Sequence, residues 1–508
     1  MFDVIIRGGE VLDGTGAPAV RADVGVRDGR IAAVDDLSAA EAGSTVDATG
    51  RYVTPGFVDA HVHADAALFD PAVQLALLRQ GVTTVVIGQD GLSYAPGSPA
   101  TVDFARRYFA AVNGTHPGFV AGSVAELLAG YAGTVPVNAA YLVPHGTVRY
   151  EVLGSAARAA EADELAVMRR MVEAGLEDGA VGLSSGLEYA PGRYADAGEL
   201  AYLCAALGDR PYVTHMRGYE AKAPVGFAEV VEIGRGAGVP VHVSHFHGPA
   251  ADLLAMLDQA GAGGLDVTFD SYPYLRGSSI LALVLLPGWL PTADLDATAE
   301  ALRDPAVLAR LNWPDELWPG ITIARIAHPD WAWAEGLRLP EVAAKAGLSP
   351  SELAVELLLA DELQVGCVFD QPPTNSDESV RTLLRDDRHM GSSDGIYQGG
   401  HPHPRGYGAF ARLLGRHVRE LGDWTWPQAA VHLASRPAAR FGLAGRGLVR
   451  PGYAADLVVL DPATVGDRAT YETPRELAVG IDDVLVNGVP VLRGGGLTDA
   501  RPGRIAQP

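Results

Sequence analysis

Apolar residues follow two different textures along this chain. At the N-terminal end, short β-forming runs alternate with Gly- and Asp-rich turns, as in DVIIRGGEVLDGTG, ADVGVRDGRIAAVDD and STVDATGRYVTPG. From about Leu443 the same texture returns in PGYAADLVVLDP and GIDDVLVNGVPVLRGG, and it closes with RPGRIAQP. Such runs predict short strands. Neither end alone holds enough strands to close a core. The pattern therefore predicts one small β-sandwich domain built from residues 1–55 and 443–508, the alternative being two unrelated flaps.

The middle of the chain, 56–442, alternates strand-like and helix-like segments. Eight strands are expected, at FVDAHVH, TTVVIGQD, AAYLVPH, AVGLSSG, YVTHM, VPVHVSH, LDVTFDSY and RHMGSSD. Amphipathic stretches such as PAVQLALLRQG, ELAVMRRMVEAGLEDG and GFAEVVEIGRGAG separate them. This alternation predicts a parallel sheet, and eight units predict an α/β fold of the TIM-type (β/α)8 barrel kind. About 110 residues lie between the seventh strand, near Tyr274, and the eighth, near His389, far more than one crossover helix needs. The helical pattern SPSELAVELLLADE and the aromatics Trp331 and Trp333 predict a folded insertion at about 285–385. It would cover the barrel mouth, or else be packing with no bearing on the site.

Composition narrows the function class. The 508 residues suffice for a large barrel and a smaller domain. With 62 acidic against 39 basic residues the formal charge is −23, which argues against a nucleic-acid surface. Cys204 and Cys367 lie outside any CxxC pattern, so a reducing, cytoplasmic setting is expected. MFDVIIRGGE lacks a basic segment followed by a long apolar run, so no signal peptide is expected. No uncharged apolar run reaches the ~18 residues of a membrane span. Oligomeric state is left open.

Candidate chemistry gathers at the strand ends. His61 and His63 form an HxH pair, and residues i and i+2 of a strand face one side. Asp90 closes TTVVIGQD, His215 lies in PYVTHM, His245 in VPVHVSH and Asp394 in RHMGSSDG. Imidazole and carboxylate suit Zn2+ and related divalent ions. In barrels of this type the functional groups come from the C-terminal strand ends. The constellation predicts a metal-dependent hydrolase holding one or two ions. No P-loop and no strand-embedded GxGxxG is present, and the GLSSG run at Ser184–Ser185 lacks GxSxG spacing.

Together, PGFVDAHVH, GLSSGLEYAPG, THMR, SHFHG, DSYPY, GSSDG and PGYAADLVVLDP resemble the amidohydrolase superfamily, and more narrowly the N-acyl-D-amino-acid deacylases. The likeness spans nearly the whole chain. It implies hydrolysis of the amide bond of a small N-acyl-D-amino acid, with D preference resting on the resemblance alone. It also implies that His61 and His63 hold one metal position and His215 and His245 the other. Asp394 would serve as general base and then general acid. Asp90, in GQDG, stands where the family commonly has a cysteine, and is expected as a ligand or else a second layer of support. His247, in SHFHG, stands where the family often has a lysine that meets the substrate carboxylate. Tyr189 and Tyr274 match positions near the substrate. Arg217, His145 with Arg149, and Arg405 are further basic groups, one of which could take an anion, the alternative for each being a surface or supporting ion pair, and Glu188 could project into the mouth. Two other readings stay open: an amidohydrolase acting on a cyclic amide, a carbamoyl group or a modified D-residue, and a non-catalytic barrel scaffold.

Overall fold

The computed structural model describes residues 1–508. Eight strands form one parallel sheet: β1 (Phe57–Asp59), β2 (Val82–Ile87), β3 (Asn138–Pro144), β4 (Gly182–Gly186), β5 (Tyr212–His215), β6 (Val241–Val243), β7 (Val267–Ser271) and β8 (His389–Gly391). Each neighbours the next in chain order, with pairs such as Ile87 with Tyr141, Thr214 with Val243 and Phe269 with His389. Just past β8, Gly395–Ile396 runs parallel to Val62–His63, and the Asp394 N–H donates to the His61 carbonyl at 2.8 Å. These bonds tie the last unit to the first, giving the expected TIM-type barrel.

Period-two alternation explains why the strands read as continuous apolar runs. In β3, Ala139, Tyr141 and Val143 pack outward under the helices. Ala140 and Leu142 point inward, with Val58, Val86, Val213 and Met390 from other strands. Both faces are buried, so both must be apolar. Phe441, Leu443 and Ala506 share this inner cluster. Ala506 arrives there because the C-terminal segment pairs with β3, its N–H bonding the Ala139 carbonyl at 2.9 Å.

A separate nine-stranded sheet joins both ends of the chain. Tyr52–Pro55 and Leu457–Leu460 run antiparallel at its centre, with Val53 opposite Val459. Phe2–Val11 takes Val20–Arg27 on one side and both Ala42–Asp47 and Tyr52–Pro55 on the other. The strands form one continuous hydrogen-bonded sheet around Val4, Ile6, Val24, Leu457 and Leu485.

Between β7 and β8 the chain builds a second apolar unit. Gly366–Asp370 pairs antiparallel with Arg276–Ile280 on one side and Ile321–Arg325 on the other. Ile280, Leu281, Ile323, Leu357 and Cys367 share a core with Phe104, Tyr108 and Phe109 of the helix Pro99–Asn113. That shared core fixes the unit over the barrel mouth. Its first strand begins at Arg276, ahead of the expected 285. No helix is long and apolar enough to cross a membrane.

Candidate active site

The structure brings the six strand-end residues together. His61 Nε2 lies 3.3 Å from His63 Nε2, and His215 Nδ1 lies 3.1 Å from His245 Nε2. Asp90 faces both pairs: its carboxylate oxygens are 3.6 Å from His61, 3.5 Å from His63, 3.6 Å from His215 and 3.8 Å from His245. Asp394 Oδ1 lies 3.4 Å from His63 Nε2 and 3.6 Å from His61 Nε2. All six are buried.

The fit to a divalent cation rests on three observations. The donor set is imidazole and carboxylate, which suits zinc. Asp90 Oδ1 is buried with no hydrogen-bond partner. The field is also that of a cation site. Burial opposes charge on His63 and His215, yet Asp394 and Asp90 raise His63 to about 10, and Asp90 and Glu188 raise His215 to about 10. Carboxylates that hold protons so firmly on imidazoles will hold a divalent ion that displaces those protons.

The backbone around the ligands is strained. Asp90 (φ 54°), His245 (φ 36°) and Asp394 (φ 45°) all lie in the left-handed region, which side-chain-bearing residues rarely occupy and which clusters at functional sites. Asp90 is fixed by the turn after β2. Gly88 has φ 76°, and a Cβ there would meet the Leu142 carbonyl at 2.4 Å. Ser184 Oγ accepts from the Gly91 N–H at 3.1 Å and donates to the Gly88 carbonyl. The serine of the GLSSG run is thus a clamp on the Asp90 turn.

Further side chains orient the ligands, as second partners of metal-binding imidazoles do. Asn113 Oδ1 accepts from His63 Nδ1 at 3.0 Å, which turns Nε2 toward the site. Glu188 Oε2 does the same for His215 Nε2 at 3.0 Å. Asp270 accepts from the His245 N–H at 3.0 Å, Ser392 Oγ at 2.6 Å and His242 Nε2 at 2.9 Å. Asn113 and Asp270 were not anticipated. Asp270 ends β7, so the strand-end rule pointed to it, whereas nothing in the sequence ties Asn113 to a histidine 50 residues away.

A cavity of about 180 Å³ opens over these groups, lined by Glu188, Tyr189, Tyr219, His247, Tyr272, Ser279, Gln371 and Arg405 among others. Arg405 is buried, pairs with Asp394 Oδ2 at 2.8 Å, and is the one lysine or arginine on the lining. Burial pushes the Asp394 carboxyl up, but the Arg405 guanidinium and the histidines outweigh it and hold it well below the usual carboxylate range. The Tyr189 hydroxyl meets Ser279 Oγ at 3.1 Å.

Of the expected substrate contacts, His247 and Tyr189 line the cavity, whereas Tyr274, Arg217 and His145 lie off it. His247 lines the cavity but not as a cation: burial lowers it to about 4. Its Nδ1 lies 2.7 Å from the His245 carbonyl, which can only accept, so Nδ1 carries the proton and Nε2 is a bare acceptor. Tyr274 lies outside the cavity, its ring against His403 and Tyr471, and Tyr272 takes the lining position. Arg217 forks onto Glu229 and donates to the carbonyls of Arg193 at 2.6 Å and Ala195 at 2.7 Å, tying down the loop after β4. His145 is buried against Glu199 at 2.8 Å, in a triad that Arg149 completes.

A barrel with paired histidines, acidic groups at its strand ends and a roofed cavity defines a metal-site hydrolase scaffold. Comparison with known proteins carries this further. The model of the amidohydrolase family matches residues 44–492. D-aminoacylase of Alcaligenes xylosoxydans xylosoxydans is 36% identical, over 99% of this chain and 97% of its own length. N-acyl-D-glutamate deacylase of the same organism is also 36% identical, over 99% and 96%. A crystal structure of N-acyl-D-glutamate deacylase from Bordetella bronchiseptica contains zinc and a phosphonate inhibitor that mimics the tetrahedral intermediate. It superposes with TM-score 0.84 at 34% identity, covering both chains completely. The chain belongs to the amidohydrolase family and, within it, to the N-acyl-D-amino-acid deacylases.

Proposed function

We propose that this chain is a zinc-dependent hydrolase of N-acyl-D-amino acids, releasing a carboxylate and a D-amino acid. The observation that carries the reading is the placement of Asp394. One of its oxygens faces His61 and His63, and the other is paired to the single arginine of the cavity. His61, His63, His215, His245 and Asp90 would hold zinc, which when bound acidifies water and polarises an amide carbonyl. One or two ions can be served by this ligand set.

The chain's own residues account for the proton traffic. Asp394 is ionised and takes the proton of the attacking water at Oδ1. Once protonated, the same carboxyl passes that proton to the amide nitrogen. An amide nitrogen leaves only once protonated, so both steps need this one carboxyl. Arg405 stacks over the Tyr272 ring at 4.5 Å and presents its charge to the cavity, where it meets the substrate α-carboxylate. His247 Nε2, an acceptor, suits an amide N–H and takes no part in binding the carboxylate. The free, buried thiols of Cys204 and Cys367 fit a reducing, cytoplasmic setting.

The test is amine release from matched N-acetyl-D- and N-acetyl-L-amino acids by the zinc-loaded protein. Release from the D series alone is expected. Equal release from both, or from neither with zinc bound, overturns the reading.

A further inference from the structure

D-aminoacylase and N-acyl-D-glutamate deacylase are equally similar to this chain, at 36% identity each, so overall likeness does not choose between a neutral and an acidic substrate side chain. The cavity does. Its lining carries three carboxylates, Asp90, Glu188 and Asp394, against one guanidinium, Arg405. One divalent ion brings that set to neutrality, and the α-carboxylate of an N-acyl amino acid already uses Arg405. A second carboxylate would meet no cation. Lys222, whose charge reaches Glu188, is exposed and lies off the lining.

Glu188 makes the exclusion active. It follows β4 directly, and its Oε2 accepts from His215 Nε2 at 3.0 Å, which fixes the carboxylate on the lining. Arg217 bonds the carbonyls of Leu187, Arg193 and Ala195, which pins the loop that carries Glu188. The same lining has an apolar part: Leu283 and Val284 from the helix Leu281–Leu285, and Phe369 from the strand Gly366–Asp370. All three are only half-buried, leaving apolar surface free to contact a side chain.

We infer that Glu188, sharing one cavity with the apolar surface of Leu283, Val284 and Phe369, makes this chain a deacylase of neutral, apolar N-acyl-D-amino acids that rejects acidic ones. The inference rests on the proposed deacylase activity and names its substrate class. Like charges in a confined site set the scale of discrimination.

The experiment compares kcat/KM for N-acetyl-D-leucine and N-acetyl-D-glutamate with the zinc-loaded protein, then with Glu188→Gln and Val284→Lys. The wild-type ratio should favour leucine by about 100-fold, equivalent to ~2.7 kcal/mol. Each variant should shift the ratio toward glutamate by about 10-fold: the first removes the repelling charge, the second adds a cation to the cavity lining. Reading a ratio within each protein cancels any change in overall rate. If Glu188→Gln loads zinc poorly, Val284→Lys still carries the test. Wild-type parity between leucine and glutamate, or a ratio unmoved in Val284→Lys, overturns the inference and leaves the deacylase reading standing. No release from any N-acyl-D-amino acid removes both.

Discussion

Replacing Asp394 by asparagine should nearly abolish turnover while leaving zinc in place. The side chain keeps its shape and one acceptor for Arg405, which approaches Oδ2 at 2.8 Å. It loses the carboxyl placed to take and return a proton, since Asp90 is enclosed by four histidines and Glu188 is engaged by His215. General acid–base catalysis supplies ~10²–10⁴-fold for a positioned group. Asp394 serves both the attack and the departure, so the upper half of that range applies: ~10³–10⁴-fold in kcat, or ~4–5.5 kcal/mol. His61, His63, His215, His245 and Asp90 remain as ligands, so zinc content should stay close to that of the wild type. Losing one partner of a buried pair also destabilises, by up to ~3–5 kcal/mol when nothing replaces it. The amide oxygen of asparagine replaces part of it, and circular dichroism with thermal melting separates folding from chemistry. The assay is amine release under single-turnover conditions, with zinc measured on the same sample. Near-normal kcat at full zinc occupancy would refute the proton-shuttle role of Asp394.

Three further outcomes are expected. Asn113→Ala should weaken zinc binding by ~10–100-fold in chelator competition, because His63 loses the acceptor that aims its Nε2; unchanged affinity would remove Asn113 from the metal support. Arg405→Met should lower kcat/KM for an N-acyl-D-amino acid more than for its primary amide. The difference should be ~10–100-fold, the worth of hydrogen bonds to a charged group; equal losses would place the substrate carboxylate elsewhere. Gly88→Ala should lower the thermal midpoint and the zinc content together, since its Cβ would meet the Leu142 carbonyl at 2.4 Å and displace the Asp90 turn; a stable, fully loaded variant would show that the turn tolerates a side chain.

The barrel and the ligand set were legible in the sequence for one physical reason. Strands buried on both faces must be apolar throughout, so a lone His or Asp at the end of such a run, as in PYVTHM or RHMGSSDG, stands out. The insertion began earlier than expected because its first strand, RGSSI, is polar and small. Gly277 in that strand lies under the Phe369 ring, where a Cβ would come within 2.4 Å, and such a strand carries no β-branched signature. Tyr272 and Tyr274 could not be told apart by pattern. A tight turn at Pro273, closed by the Tyr274 N–H on the Tyr272 carbonyl at 3.0 Å, leaves the first ring on the cavity and carries the second away. Arg217 and His145 stayed ambiguous because a basic residue near a strand end reads the same whether it faces a ligand or a buried carboxylate. Only the positions of Glu229 and Glu199 decide that, and they come from other helices.

The most direct measurement is a zinc titration of the metal-free protein, following release of leucine from N-acetyl-D-leucine and from its L enantiomer. The account predicts that release from the D substrate rises with zinc and saturates as the site fills, while the L substrate stays near background. Hydrolysis that proceeds without metal, or a zinc-loaded protein that leaves the D substrate intact, would contradict it.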